Sequence, residues 1–267
     1  MPLQVLAISV GNTTTRFGRF EGSELARSLR APNASFAPLV EQVVALASEL
    51  PQEGEAEPSA IVLATTNGPI ADRLVAELEA QTGRDVFRIG ADLPIPVETA
   101  LDPGATPGQD RLLNAIAAFD HLKQACVVVD CGTAVTVDFI DGEGVFQGGA
   151  IAPGANMQLH ALHHGTAALP HVHLAIPSTA SPFGKDTVQA MLNGVYYGIR
   201  GTVRLLVERY AEAYEAYPPI IVTGGDAPLI FDGDELIDRI IPDLTLWGIE
   251  AACRKGLLSD SMDLEVE

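Results

Sequence analysis

The sequence predicts an α/β protein. Two observations carry that expectation. Short apolar or β-prone runs alternate with longer segments of helical spacing. A strand–turn–strand unit also recurs about half a chain apart, first as LAISVGNTTTRFGRF and again as VVVDCGTAVTVDFID. Each copy holds an apolar run, then Gly and Thr, then a second β-prone run, which suggests two related halves. Two buried hairpins can also look alike without being copies, and these short segments leave that alternative open.

The elements follow in order. Residues 3–10 form an apolar run that reads as a buried strand. The Gly11-Asn12 turn signal and the Thr- and Phe-rich run over 13–20 make it a β-hairpin. Residues 38–50 have helical spacing, and the polar stretch PQEGEAEPS after them reads as an exposed connection. A strand over 61–64, a helix over 70–81 closed by Gly83 and a strand over 86–89 come next. Residues 94–108 hold four prolines and two glycines, so they are loop or sheet edge. A helix over 111–124 leads into the second hairpin, with strands over 125–130 and 133–140 and the turn at Cys131-Gly132. Helices over 158–168 and 185–214 follow, and Gly194, Gly198 and Gly201 suggest that the second packs closely on a neighbour. A strand over 219–223 ends in Gly224-Gly225, and a helix over 244–257 completes the set.

Composition narrows the function classes. The 267 residues carry 35 Asp and Glu against 16 Lys and Arg, a formal net charge of -19. That disfavours broad nucleic-acid binding and anionic membrane surfaces, both of which need a basic face. The excess acid is expected on solvated stretches such as 53–57 and 260–267. Apolar residues make up 47% of the chain and mean hydropathy is +0.20, enough for a sizeable core. Cys126, Cys131 and Cys253 form no disulfide framework or paired metal motif, which points to a reducing interior. MPLQVLAISV lacks a basic n-region and a cleavage site, and no apolar run approaches the roughly 18 residues of a membrane span. The expectation is a soluble cytoplasmic protein.

Four segments could carry chemistry. Gly11-Asn12-Thr13-Thr14-Thr15 offers backbone N–H groups and hydroxyls to phosphate oxygens, or is an ordinary hairpin turn. Asp130-Cys131-Gly132-Thr133 sets a carboxylate suited to a cation beside a second Gly-Thr turn suited to phosphate. Gly108-Gln109-Asp110-Arg111 places an acid and a guanidinium together at a helix start, as base and anion clamp or as plain helix N-terminal chemistry. Thr223-Gly224-Gly225-Asp226 lets backbone approach a flat ligand such as a nucleobase, or is a tight turn. Gly184-Lys185 lacks the rest of a phosphate-binding P-loop. His160, His163, His164, His171 and His173 cluster, and His160 and His164 have i,i+4 spacing, but Gly165 and Pro170 break the segment. They are read as solvated or capping rather than metal-binding.

Seven pieces in order resemble the type III pantothenate kinase family, which includes Bvg accessory factor-like members. They are VGNTTTRFG, GQDRLLNAIAAF, VVVDCGTAVTVDFID, GGAIAPGANMQLHAL with TAALP, FGKDTVQAMLNGVYYGIRG, IIVTGGDAPLI and LTLWGIEAA, and they span almost the whole chain. The resemblance implies duplicated ribonuclease H-like domains of the acetate and sugar kinase, Hsp70 and actin superfamily, here residues 1–115 and 116–267, with ATP in the cleft between. It implies transfer of a phosphoryl group from ATP to the terminal hydroxyl of pantothenate, the first step of coenzyme A synthesis. It also implies magnesium, a monovalent cation such as potassium or ammonium, and a homodimer with the substrate site near the subunit interface.

Carried over by position, Asp110 looks like the general base. Gly108, Gln109 and Arg111 fall in the substrate segment, and Thr187 resembles a substrate contact that reaches across the dimer. Ser9, Val10, Gly11, Asn12, Thr13, Thr14, Thr15 and Arg16 fall in the first phosphate loop, Thr133 resembles a second phosphate contact, and Gly224 and Gly225 would lie near the adenosine. Asp130 resembles the monovalent-cation ligand.

The chain departs from the pattern at Ser9, where the family has an Asp that helps hold magnesium. Smaller departures are Gln109, usually a small residue, and Leu101, near a frequent Tyr. Ser9 leaves two readings: a kinase, weakened or helped by Asp130 or Asp138, or a homologue that binds ligand without turnover. A phosphohydrolase of the same superfamily is a third class, which nothing in GQDR favours.

Overall fold

The structure is a computed structural model that describes residues 3–51, 58–178 and 181–263, with side chains to residue 256. The acidic stretches 53–57 and 260–267 lie outside those described side chains. The chain forms two compact units. The first holds Met1–Glu98, Asp102–His121 and Asp243–Glu267, and the second holds Thr99–Leu101 and Leu122–Pro242. The sequence reading drew one boundary between 115 and 116. That position falls inside a continuous helix, and packing divides the chain elsewhere, because the last helix returns to the first unit.

In the first unit, β1 (Gln4–Val10), β2 (Thr14–Glu21), β3 (Glu24–Pro32), β4 (Ser59–Thr65) and β5 (Val86–Arg88) form a sheet of order β3-β2-β1-β4-β5. β2 and β3 run antiparallel to their neighbours, and β4 and β5 run parallel. Side chains alternate across a strand, so β1 serves two cores. Leu6, Ile8 and Val10 pack with α1 (Phe36–Ala47) and α2 (Gly68–Thr82). Val5 and Ala7 pack with Leu113 of α3 (Gln109–Leu122) and with Leu246, Ile249 and Ala252 of the final helix. α2 begins at the Asn67 cap, with Pro69 in its first turn, and ends on Gly83 at φ 67, the left-handed stop read from the sequence.

The second unit repeats this plan. β6 (Cys126–Cys131), β7 (Ala134–Ile140), β8 (Phe146–Pro153), β9 (Ile220–Thr223) and β10 (Arg239–Ile240) give the order β8-β7-β6-β9-β10. β7 and β8 are again antiparallel, and β9 and β10 parallel. α4 (Ala155–His164) and α5 (Thr187–Tyr214) stand between the third and fourth strands, and α6 (Ala227–Phe231) between the fourth and fifth. Val127, Val129, Val135 and Val137 bury against Leu192, Ile199 and Val203 of α5. The likeness of the two hairpins thus extends to five strands in the same order and directions. α7 (Leu244–Asp263) follows β10 as α3 follows β5.

The sequence reading missed β3, β8, α6 and β10. β3 is largely exposed and rich in charge, and β8 carries Gly148 and Gly149, so neither shows a clean apolar period. They are edge strands or short pieces whose form comes from pairing. At Gly194, Gly198 and Gly201 an added Cβ would meet no atom of the described residues within 4 Å, so the close packing these glycines suggest is not made among those residues.

α7 brings one ionisable group indoors. Glu250 is buried, accepts from Arg254 Nε at 2.9 Å, and lies near Asp120, which Arg254 and Lys255 also reach. Burial pushes its carboxyl above the usual range, and the Arg254 bond only partly offsets this. A raised folded pKa stabilises the fold below the unfolded carboxylate pKa, and that contribution disappears as pH rises through the folded value. Relative to Glu250→Gln, the natural chain is therefore expected to lose stability as pH rises from acid to neutral. Urea unfolding of both proteins at several pH values measures this, and parallel pH profiles would refute it.

Candidate functional site

In the first unit the candidate residues gather at the carboxyl ends of β1 and β4. Val10 pairs with Thr15 across the hairpin, and Gly11 N–H closes the turn onto Thr14 C=O at 3.0 Å. Ser9, half-buried, stands opposite Arg16 and Ala64. Thr15 is buried, and Asn12 and Thr13 are exposed. Every carbonyl from Val10 to Thr13 accepts a bond from outside the turn. Val10 takes Thr66 N–H (3.0 Å) and the Thr65 hydroxyl (3.3 Å), Gly11 takes Asn33 Nδ2 (2.8 Å), Asn12 takes Asn67 Nδ2 (3.4 Å) and Thr13 takes Asn33 N–H (2.9 Å). The Thr15 hydroxyl donates to Asn33 Oδ1 at 2.8 Å. Arg16 pairs with Asp243 at 3.3 Å.

The start of α3 lies in the same unit. Asp110, half-buried, folds its carboxylate back over Gly108, where any Cβ would collide with Oδ1. That is a steric reason for glycine two residues before the acid. The same Oδ1 accepts Arg111 N–H at 2.9 Å, which orients the carboxylate and leaves Oδ2 for another donor. Gln109 ties the helix start to the sheet: its Nε2 donates to Ile89 C=O at 2.9 Å, and its Oε1 accepts Thr65 N–H at 3.5 Å.

In the second unit the ends of β6 and β9 meet in register, Asp130 beside Thr223. The half-buried Asp130 carboxylate lies against Gly132 and Gly224. Gly224 has φ 100, and a Cβ there would strike the Cys131 carbonyl and Asp130 Oδ1, so only glycine fits. Asp226 N–H donates to Cys131 C=O at 3.0 Å, and Gly225 stands between. The exposed Thr133 has its carbonyl taken by Gly154 N–H at 3.0 Å. Burial, reinforced by Asp130 and Asp226, pushes the Cys131 thiol far above its ordinary value. Burial alone raises Cys126 to about 12, and burial with Glu250 raises Cys253 to about 11. All three thiols stay protonated and are poor nucleophiles.

Thr187, exposed at the first turn of α5 after the Asp186 cap, lines a groove of about 920 Å³ between α4 and α5. Met157, Leu162, Leu169, Met191 and Val195 make its walls apolar. His163 Nδ1 bonds Leu169 C=O at 2.8 Å, and His160, His164, His171 and His173 are exposed. His164 is held below its ordinary pKa, chiefly by His160.

The donor sets bear on the metals. Magnesium is held through one or two carboxylates together with substrate phosphates and waters. The strand-end position of β1 offers only the Ser9 hydroxyl, and among the described residues no three His, Cys, Asp or Glu side chains are arranged to hold a metal. The residues fit magnesium that arrives on nucleotide phosphates rather than a protein-held ion. Asp130 offers a single hard carboxylate, whose oxygens suit a hard cation, while the Cys131 and Thr133 carbonyls beside it already accept Asp226 and Gly154 N–H. Sequence reading missed Asn33, Thr65 and Asn67. Asn67-Gly68-Pro69 was legible as a helix start, whereas nothing near Asn33 announces its contacts 18 to 22 residues back.

The type III pantothenate kinase family profile matches residues 5–209. The type III pantothenate kinase of Dinoroseobacter shibae is 35% identical over 248 residues, 92% of this chain and 96% of that protein. The one from Rhodospirillum rubrum is also 35% identical over 248 residues, with the same coverage. Among solved structures, a conserved Baf family protein from Campylobacter jejuni superposes with a TM-score of 0.57 at 18% identity, over 95% of this chain and 99% of that one. Component A of the (R)-2-hydroxyglutaryl-CoA dehydratase of Acidaminococcus fermentans gives 0.55 at 14% identity, over 97% and 99%. At such identities the likeness is one of fold. With the repeated strand order, it makes the fold that of duplicated ribonuclease H-like domains of the acetate and sugar kinase, Hsp70 and actin superfamily.

Gln109→Ala should destabilise the chain by about 1–2 kcal/mol, because it removes the bond to Ile89 and strands that carbonyl. Chemical denaturation measures this, and an unchanged midpoint would mean that the amide carries no load.

Proposed function

This chain belongs to the type III pantothenate kinase family, and from that premise we propose that it transfers the terminal phosphoryl group of ATP to the terminal hydroxyl of pantothenate. The observation that best supports this is the Asp110 carboxylate, fixed over Gly108 by the Arg111 N–H with one oxygen left to accept a proton. Phosphoryl transfer depends chiefly on positioning and on neutralising charge along the in-line path. Asp110 would accept the hydroxyl proton. The N–H groups of the Gly11–Thr15 turn and Thr133 would hold phosphate oxygens, Arg111 would bind an anionic group, and Gly224 and Gly225 would admit the adenosine. Magnesium supplies charge neutralisation on the ATP phosphates, and a monovalent cation at Asp130 would add to it.

The same reading takes the chain as a cytoplasmic homodimer. Among the described residues no helix is long and apolar enough to cross a membrane. α5 exposes Val188, Tyr197, Leu205 and Tyr214, and its three open glycines would admit a close neighbour from outside the chain. Thr187, a hydroxyl on the rim of an apolar groove, would meet pantothenate bound by the other subunit.

Ser9 favours a second reading, a homologue that binds nucleotide or pantothenate without turnover, because a neutral hydroxyl stands where a carboxylate would help hold magnesium.

Phosphopantothenate formation, followed over a magnesium range, separates the two. The kinase reading expects product dependent on both substrates, and no product at any magnesium level from folded protein would sink it. Asp110→Asn should lower kcat about 100-fold or more with pantothenate binding retained. Ser9→Asp should change the rate at saturating magnesium by less than about tenfold. A silent natural chain that Ser9→Asp awakens would establish the second reading.

A further inference from the structure

Asn33 lies just past the end of β3 and is 8% exposed. It makes three bonds to one turn. Its side-chain amide donates to Gly11 C=O at 2.8 Å, its backbone N–H donates to Thr13 C=O at 2.9 Å, and its Oδ1 receives the Thr15 hydroxyl at 2.8 Å. From the other side, Asn67 takes the carbonyl between them at the longer distance of 3.4 Å. A trans peptide is planar, so a C=O and the following N–H point in opposite directions. Drawing the Gly11 carbonyl toward Asn33 therefore aims the Asn12 N–H away from Asn33. Among the described residues that N–H has no protein acceptor. A turn whose carbonyls could swing outward would present negative dipole ends to an anion. A turn with its carbonyls fixed presents donors at no reorganisation cost.

We propose that Asn33 is the positioning residue of this anion-binding turn: it sets the affinity for a polyphosphate by holding the Gly11 and Thr13 carbonyls away from it. The proposal rests on the kinase reading only in taking ATP as the natural polyphosphate. Asn33 touches no phosphate and acts through the turn.

The test uses the full chain and two probes, a non-hydrolysable ATP analogue with magnesium and inorganic tripolyphosphate, titrated by calorimetry. Asn33→Ala should bind both about tenfold more weakly, which is the loss of one oriented donor. Asn33→Asp keeps the acceptor for Thr15 but loses the side-chain donor and adds negative charge, so it should bind more weakly still. In the kinase assay KM for ATP should rise while KM for pantothenate stays within about twofold. Thermal unfolding identifies the folded fraction of each variant, so that a purely structural role appears as lower stability with unchanged affinity. Folded Asn33→Ala that binds both probes within about twofold of the natural chain overturns the proposal. If the natural chain binds tripolyphosphate but not the analogue and makes no product, the kinase reading fails, and the role of Asn33 stands or falls on tripolyphosphate. If the natural chain binds neither probe, both are overturned.

Discussion

Everything proposed for the first unit depends on how β1 is paired. It runs antiparallel to β2 on one side and parallel to β4 on the other. An antiparallel neighbour can return through a tight turn, whereas a parallel one needs a crossover. The hairpin turn and the start of the region after β4 are therefore brought to one end of the sheet. Thr65 and Thr66 reach the Val10 carbonyl there, and Gln109 joins the same end through Thr65 and Ile89. β6 is paired in the same way with β7 and β9, so Asp130 and Gly224 meet by the same geometry. Ligand-binding groups at the carboxyl ends of sheet strands are common in α/β folds. Here the arrangement is made twice by one repeated strand order.

Burial makes this pairing rigid. β1 is covered on both faces, by α1 and α2 on one side and by α3 and α7 on the other. A one-residue slip in its register would exchange the two sets of apolar contacts. The position of the turn is thus held by hydrophobic contacts far from any polar chemistry. Glu250 is the exception within that packing, a carboxylate drawn indoors by α7 and only partly relieved by Arg254.

The acidity of the chain takes on a different meaning beside this geometry. A net charge of -19 opposes anionic partners in general. In the first turn the carbonyl ends of the backbone dipoles are already engaged. At β1 the strand-end position is the neutral Ser9, so the donors of that turn face no protein carboxylate from it. In the second unit Asp130 and Asp226 both bear on Cys131 and, with burial, hold its thiol protonated.

The sequence by itself determined the fold class, the two hairpins, most helices and the Gly83 stop. These are legible because apolar periodicity and turn residues act locally. It did not announce β3 or β8, whose exposed, charged or glycine-containing strands are formed by pairing with a neighbour. It did not decide what the α5 glycines face, because an open face and a close contact look the same in one dimension. It gave Gln109 a place in the substrate segment by position but no sign that its amide bonds the Thr65 and Ile89 backbone. Tertiary structure also decided that α7 returns to the first unit and that Asn33 holds a turn some twenty residues earlier. Hydrogen bonds and burial between distant segments depend on how the chain comes back on itself, and no local pattern of residues records that.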